Sequence, residues 1–314
     1  MTFLKDSRIN RFGLGAMPLS WGYNRPTHGD ETSIKLLREA YELGVNFFDT
    51  AHGYGAGHNE TLVGEALKGV WDQVFVATKG GLRVANGGQG PLVKDGHPAA
   101  LQQQLDTSLR NLGLESIDLY YLHRVDPQVP LQESWEFLAS QVKAGKIKHL
   151  GLSEITVEEA QLAHEIHPVA AIQSELSLWT RDPIENGVLQ WSKNNDVAFV
   201  SFSPVGRGYL AGTLQPGTFT ELDIRARNPR FTAEAFARNQ IILDQIKLVA
   251  EKHQATLAQI AIAWSVQYET NLFTIPGTAN LDHLREDVAA SGVTLDEADF
   301  AILNALPKPF GERY

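Results

Sequence analysis

The chain has 314 residues, no cysteine, and 37 acidic against 27 basic side chains, which gives a formal net charge of −10. Without cysteine there is no disulfide, no thiolate nucleophile and no cysteine-ligated zinc. The negative charge disfavours a general nucleic-acid surface, because phosphate binding needs a basic footprint. No apolar run reaches about 18 residues and the first residues lack a signal-peptide pattern, so we expect a cytoplasmic protein without membrane segments.

Apolar runs alternate with stretches of helical periodicity along most of the chain. After a short apolar stretch at 12–17 and a helix at 31–43, we predict strands at 45–48, 74–78, 117–122, 147–152, 169–174, 197–202 and 272–276. The predicted helices that follow these strands lie at 60–69, 98–112, 131–144, 156–165, 184–194, 234–253 and 256–268, and after the last strand at 281–290 and 295–305. No linker or change of composition interrupts the pattern, which predicts a single domain over residues 1–314.

Eight strand–helix units predict a (β/α)8 barrel (TIM barrel), a fold of about 250 residues. A doubly wound open sheet is the alternative, but it normally carries a glycine-rich fingerprint after its first strand. Gly13-Leu14-Gly15 lacks the third glycine, which favours the barrel. Two connections, at roughly 80–97 and 204–233, are longer than ordinary loops and are predicted to cover the C-terminal mouth of the barrel.

Four titratable residues lie at or just after the ends of three successive predicted strands, namely Asp49, Tyr54, Lys79 and His123. The carboxyl ends of neighbouring strands in a parallel barrel meet around one mouth, so these side chains are expected to lie together. Each alone has an ordinary structural explanation, such as a turn former or a packed aromatic ring. Their joint occurrence at one mouth favours an active site.

This set of side chains suits the delivery of a proton to a carbonyl oxygen. Tyr54 would be the acid, because a nearby ammonium group on Lys79 lowers the pKa of a phenol from its ordinary value of about 10. Asp49 would hold Lys79 in place, and His123 could hydrogen-bond the same carbonyl oxygen. None of the four can supply a hydride, so a carbonyl reduction would need a cofactor.

The second half of the chain predicts an anion site. The loops after the seventh and eighth strands are the usual phosphate-binding region of such barrels. The first of these loops carries Arg207, Arg225, Arg227 and Arg230, and the second precedes a helix whose N-terminal amides could bind phosphate. For the last three arginines a solvated loop is an equally good explanation.

The chain resembles the aldo-keto reductases in several stretches, which occur in the order of that family and span nearly the whole sequence: FFDTAHGYGAGHNETLVGEAL, VATKGG, LDTSLRNLGLESIDLYYLHRVDP, KIKHLGLSE, QSELSLWTRD, SFSPVGRGYLAG and IPGTANLDHLRED. The resemblance implies a single (β/α)8 barrel that reduces aldehydes and ketones with NADPH. It also implies that Asp49, Tyr54, Lys79 and His123 form the catalytic tetrad, with Tyr54 as proton donor. HRVDP and SLWTRD resemble the branch that contains pyridoxal reductases, plant ketone reductases and similar bacterial enzymes.

The resemblance further implies where the cofactor lies, with NADPH favoured and NADH as the alternative. Ser153 and Gln173 match residues that hydrogen-bond the nicotinamide carboxamide, and Phe202 matches the aromatic ring that stacks on the nicotinamide. The other implied cofactor residues belong to the pyrophosphate loop and the adenosine end: Ser203, Pro204, Val205, Gly206, Arg207, Ile275, Gly277, Thr278, His283, Glu286 and Asp287. Glu154 departs from the family's usual asparagine, and His283 stands where an arginine often binds the 2′-phosphate.

Aromatic residues and the loop after Lys79 predict an apolar substrate wall. Trp21, Tyr23 and Trp179 are the candidate substrate residues, and they would suit apolar or aromatic carbonyl compounds. Packing is an equally good explanation for Trp179. The expected partner is therefore a small carbonyl compound, and the sequence indicates no oligomeric state.

Two other classes of function stay open. A binding protein with an idle tetrad would need a partner surface, and no basic or unusually apolar stretch predicts one. A metal-dependent barrel hydrolase could use Asp49, His52, His58 and His123, but the H-x-H pair of such sites is missing. Lys79 at the centre would also repel a cation, so no metal is expected.

Overall fold

The structure is a computed structural model, and it describes residues 9–23, 29–88 and 91–313. The strands in chain order are β1 (Leu14–Gly15), β2 (Phe47–Asp49), β3 (Phe75–Gly80), β4 (Leu82–Val84), β5 (Leu92–Lys94), β6 (Ile117–Leu122), β7 (Ile147–Ser153), β8 (Ala171–Glu175), β9 (Ala198–Phe202) and β10 (Leu272–Ile275). The α-helices are α1 (Asp30–Glu42), α2 (His58–Ala66), α3 (Ala85–Gly88), α4 (Pro98–Leu112), α5 (Leu131–Lys143), α6 (Val157–Ile166), α7 (Asp182–Glu185), α8 (Val188–Asn194), α9 (Ala233–His253), α10 (Leu257–Gln267), α11 (Leu281–Ala289) and α12 (Glu297–Asn304).

Eight of these strands form one parallel sheet in the order β1, β2, β3, β6, β7, β8, β9, β10. The Gly13 amide donates to Thr274 O at 2.8 Å and the Gly15 amide to Pro276 O at 2.9 Å. These bonds join β1 to β10 and close the sheet into a barrel. The predicted (β/α)8 fold is thereby confirmed, and the open doubly wound sheet is excluded.

Side-chain alternation along the strands explains both the core and the position of the site. Successive residues of a strand point to opposite faces, so every second residue points into the barrel. The inward residues of the barrel strands form one buried cluster together with Ile9, and they are Phe47, Phe75, Ala77, Leu119, Tyr121, Ala171, Ala198, Val200, Phe273 and Ile275. The same alternation, continued toward the C-terminal strand ends, turns Asp49, Lys79, Gln173 and Phe202 inward at the mouth.

Local sequence signals fix the ends of several helices. Thr156 and Thr256 each form a capping box at the start of α6 and α10, with Glu159 and Gln259 as the reciprocal partners. Gly113 ends α4 with φ at 69°, a left-handed conformation that costs glycine little. Among the described residues, no helix is both long enough and apolar enough to cross a membrane.

The structure differs from the predicted elements mainly in the connections. Gly187, with φ at 84°, divides the predicted helix at 184–194 into α7 and α8. The long connection at 80–97 contains an antiparallel hairpin of β4 and β5. The connection at 204–233 contains three 3₁₀ turns, at Gly206–Ala211, Ile224–Arg227 and Pro229–Phe231.

Candidate active site

Strands β2, β3 and β6 bring the four predicted catalytic residues together. The Lys79 ammonium donates to the Asp49 carboxylate and, at 2.7 Å, to the backbone carbonyl of Thr50. The Lys79 Nζ lies 5.2 Å from the centre of the Tyr54 ring. The Tyr54 and His123 rings meet edge to face, with 5.7 Å between their centres. The four side chains therefore form one cluster at the mouth of the barrel.

The ion pair at the base of this cluster is almost entirely buried. The Lys79 side chain is 0% exposed and that of Asp49 is 3% exposed. Gln173 Nε2 donates to the second Asp49 oxygen at 2.7 Å, so both carboxylate oxygens have partners. Burial raises the pKa of Asp49, and the charge and hydrogen bond of Lys79 oppose that rise. A buried ammonium without this carboxylate would be costly, so the pair fixes Lys79 next to Tyr54.

The protonation states of Tyr54 and His123 follow from burial and from two nearby cations. Burial raises the pKa of the Tyr54 phenol above its ordinary value, and the charge of Lys79 opposes this. The phenol therefore carries its proton at neutral pH. Burial and the charges of Lys79 and Arg124 hold the pKa of His123 well below its ordinary value, so its ring is neutral. From the sequence we predicted that Lys79 lowers the pKa of Tyr54, but not that burial raises this pKa by more.

A cavity of about 750 Å³ extends from this cluster across the mouth. Asp49, Tyr54 and His123 line one part of it, and Lys79 lies behind this wall. The cavity is also lined by most of the predicted cofactor residues, namely Ser153, Gln173, Phe202, Ser203, Pro204, Val205, Arg207, Ile275, Gly277, Thr278, His283, Glu286 and Asp287. Gly206 does not line it; this residue is buried at the start of a 3₁₀ turn with φ at 55°.

The loop arginines have separate roles in the structure. Arg207, Arg225 and Arg227 line the cavity. Arg225 donates to both oxygens of Asp223, and its guanidinium carbon lies 4.7 Å from the centres of the Tyr23 and Phe219 rings. Three arginine residues therefore line the region predicted to bind phosphate, and the guanidinium groups of Arg207 and Arg225 are held there by Glu175 and Asp223.

The fourth loop arginine, Arg230, does not belong to this set. It is buried, and its Nη1 donates to Trp179 O at 3.0 Å and to Thr180 Oγ1 at 2.8 Å. These bonds connect the loop to the residues that follow β8. The structure thus gives Arg230 a packing role, in place of the anion-binding role suggested for it as part of the arginine loop.

The start of α11 forms the other end of the cavity. Asn280 caps this helix, because its Oδ1 accepts from the amides of Asp282 at 2.8 Å and His283 at 3.1 Å. These two amides of the helix start therefore already have a protein partner. Burial and the nearby Glu286 raise the pKa of Asp287 to about 7.

The predicted substrate wall is formed in part by the residues named from the sequence. Trp21 and Tyr23 line the cavity, and the Trp21 ring stacks on Tyr54 with 6.1 Å between centres. Leu82 and Leu92, from the hairpin of β4 and β5, also line it. The connection after Lys79 therefore contributes apolar side chains to the mouth, as the sequence suggested.

Trp179 does not line the cavity. Its side chain is 2% exposed and stacks on Tyr209, with 4.3 Å between ring centres. The structure therefore favours the packing alternative over a substrate contact. Arg124, in contrast, lines the cavity, and its Nη1 donates to Ser153 Oγ at 3.0 Å. Its place one residue after His123 at a strand end was the only sequence signal for it.

Comparison with known proteins agrees with this arrangement. The model of the Aldo/keto reductase family matches residues 11–308. The chain belongs to the aldo/keto reductase family. It is therefore an NAD(P)H-dependent oxidoreductase, and the resemblance in its motifs is confirmed. The matched range includes Asp49, Tyr54, Lys79 and His123.

Individual relatives cover nearly the whole chain. It is 39% identical over 302 residues to "Probable aldo-keto reductase 1" of Glycine max, which corresponds to 95% of this chain and 86% of that protein. The glycerol dehydrogenase AKR11B4 from Gluconobacter oxydans superposes with a TM-score of 0.86 at 26% identity, over 98% of this chain and 94% of the other. An aldo/keto reductase from Klebsiella pneumoniae, solved in complex with NADP and acetate, has a TM-score of 0.71 at 24% identity, over 97% and 94% of the two chains.

Proposed function

We propose that the protein reduces aldehydes and ketones to alcohols with NADPH, and that Tyr54 is the proton donor. The observation that carries this proposal is the buried Lys79–Asp49 pair beside the Tyr54 ring, at one end of a cavity lined by the predicted cofactor residues. A hydroxyl acid next to a fixed ammonium is the arrangement that a carbonyl oxygen needs as it gains negative charge.

The tetrad residues have distinct tasks in this reaction. The bound nicotinamide supplies the hydride. Tyr54 gives its proton to the carbonyl oxygen, and the Lys79 ammonium stabilises the phenolate that remains. Asp49 keeps Lys79 in position, and the neutral His123 ring donates a hydrogen bond to the same oxygen. In the reverse direction Tyr54 as phenolate would accept the proton of an alcohol.

The residues present in the cavity fit a phosphorylated dinucleotide. The cavity volume of about 750 Å³ lies within the range of roughly 300–1,000 Å³ that is usual for small-molecule sites. Arg207, Arg225 and Arg227 line it, and a guanidinium group is well matched to phosphate oxygens. Ser203 and Arg207 have left-handed backbone, with φ at 53° and 55°, in a turn of the kind that can present amides to an anion.

The walls near Tyr54 support apolar or aromatic carbonyl compounds as the substrate class. Trp21, Leu82 and Leu92 lie on this part of the cavity and offer apolar surface. Burial of an apolar substituent there is favourable, at about 25 cal/mol per Å². The carbonyl group itself would be held by Tyr54 and His123.

Measurement of turnover distinguishes this proposal from the alternative that the chain is a binding protein with a catalytically inactive tetrad. We expect the purified protein to oxidise NADPH steadily when 4-nitrobenzaldehyde is added, with the alcohol formed in equal amount. Tight NADPH binding with no turnover across a broad set of aldehydes and ketones would instead favour the binding protein.

His283 is expected to limit the preference for NADPH over NADH. In the His283→Arg variant a planar guanidinium with five N–H donors, matched in geometry to phosphate oxygens, replaces the smaller imidazole ring. We expect this preference, measured as the ratio of kcat/KM values, to rise by about tenfold, which corresponds to one charge-assisted hydrogen bond to the 2′-phosphate.

Arg285→Met is the matched control on the same helix. Arg285 does not line the cavity, and its Nε donates to Glu39 Oε1 at 2.7 Å. Its loss should leave the cofactor preference unchanged. An unchanged preference in His283→Arg as well would show that the 2′-phosphate is held elsewhere.

A further inference from the structure

Arg313 joins three barrel strands although it lies in the segment that follows α12. Its Nη2 is 2.8 Å from Glu154 Oε1, and its Nε is 3.0 Å from Glu175 Oε2. The guanidinium carbon lies 6.0 Å from the centre of the Phe202 ring. One side chain thus contacts the residue after β7, the last residue of β8 and the last residue of β9.

The backbone around Arg313 is held in place by the long loop after β9 and by α9. Asn228 Nδ2 donates to Arg313 O at 2.7 Å, and Arg230 Nε donates to Gly311 O at 3.1 Å. Asn239 exchanges two hydrogen bonds with the backbone of Phe310, at 2.7 and 3.0 Å. Because of these bonds, the Arg313 side chain reaches the strand ends from a fixed point, and only 15% of it is exposed.

Glu154 is one of the two glutamates that form ion pairs with Arg313. It follows Ser153, which lines the cavity. Its backbone is left-handed, with φ at 54°, and its Oε1 accepts from the Glu175 amide at 2.8 Å as well as from Arg313. The Glu154 side chain does not line the cavity.

The carboxylates of Glu154 and Glu175 alternate with the guanidinium groups of Arg207 and Arg313 behind the nicotinamide end of the cavity, and Asp182 Oδ2 also lies 3.8 Å from Arg313 Nη1. Glu175 Oε2 accepts from Arg207 at 2.8 Å and from Arg313 at 3.0 Å, and Glu154 pairs with Arg313. Without Arg313, Glu175 would still have its ion pair with Arg207. Glu154 would lose its cationic partner, while the carboxylate of Glu175 would remain close to it. A carboxylate released beside Ser153 would face a cofactor that carries negative phosphates.

We propose that Arg313 is a positioning residue for the cofactor, because it holds the Glu154 carboxylate out of the cavity. The nicotinamide end of the cavity is then lined by Ser153, Gln173 and Phe202 without a nearby free carboxylate. Arg207 keeps its orientation through its ion pair with Glu175, which Arg313 also contacts. This inference rests on the proposed use of NADPH.

Direct titration of NADPH tests the role of Arg313 without any substrate. In Arg313→Met we expect the Kd of NADPH, followed by protein fluorescence, to rise by about tenfold, because the released Glu154 carboxylate would repel the negatively charged cofactor. Adding Glu154→Gln to that variant should return most of the affinity, because the released side chain is then uncharged. Arg313→Lys keeps the positive charge and should bind NADPH more tightly than Arg313→Met does.

Lys308→Met is the matched control, since Lys308 lies in the same segment and forms an exposed ion pair with Glu185 at 2.7 Å. The Kd of NADPH for this variant should equal that of the wild-type protein. A normal Kd in Arg313→Met would overturn the inference. Weak binding that Glu154→Gln does not restore would overturn the role assigned to Glu154. If the unchanged protein itself bound no NADPH, the proposed function would fail instead.

Discussion

The Tyr54→Phe variant is expected to reduce carbonyl compounds about 10²- to 10⁴-fold more slowly than the unchanged protein, the usual contribution of a general acid. The substitution removes the proton donor while the Lys79–Asp49 pair and the cofactor residues stay in place. The Kd of NADPH should therefore change little. The measurement is kcat for 4-nitrobenzaldehyde reduction together with a fluorescence titration of NADPH.

Tyr209→Phe provides the matched control for this prediction. Tyr209 is buried against Trp179, and its hydroxyl makes one long hydrogen bond, of 3.4 Å, to Phe236 O. This variant should keep normal turnover. Normal turnover in Tyr54→Phe as well would remove Tyr54 from the role of acid.

The Lys79→Met variant is expected to lose both activity and stability. It leaves the Asp49 carboxylate buried without its cationic partner, which typically costs about 3–5 kcal/mol in the free energy of unfolding. It also removes the charge that stabilises the Tyr54 phenolate, so reduction should be nearly abolished. Urea unfolding and steady-state kinetics measure the two losses.

A second substitution separates the two effects of losing Lys79. Adding Asp49→Asn removes the unpaired charge, so the double variant should recover much of the stability but none of the activity. Unfolding of Lys79→Met at the same urea concentration as the unchanged protein would mean that Asp49 and Lys79 are not a charged pair.

The barrel and the catalytic cluster could be predicted because both depend on local and periodic features of the sequence. Alternation of strands with helices defines a parallel barrel, and the parallel strands bring their C-terminal ends to one mouth. Asp49, Lys79 and His123 lie at those ends, so their proximity follows from the fold without any long-range contact being known. Ser153 and Gln173 were implied by the resemblance to the family, and they lie in the next two strands of the sheet, β7 and β8.

The parts that the sequence could not predict depend on contacts between distant segments. Arg313 and Glu154 are 159 residues apart, and no periodic pattern connects them. Arg230 lies in an arginine-rich loop, and only the folded loop turns it toward Trp179. The pKa of Tyr54 depends on how deeply the phenol is buried, and a list of nearby charges does not contain that information.

Transfer of deuterium from NADPH labelled at C4 of the nicotinamide tests the proposed reaction most directly. We expect the alcohol formed from an aldehyde to carry the label on its carbinol carbon, while its hydroxyl hydrogen comes from solvent by way of Tyr54. Failure to form alcohol, or alcohol without the label when the labelled hydrogen has left the cofactor, would contradict hydride transfer to a carbonyl at this site.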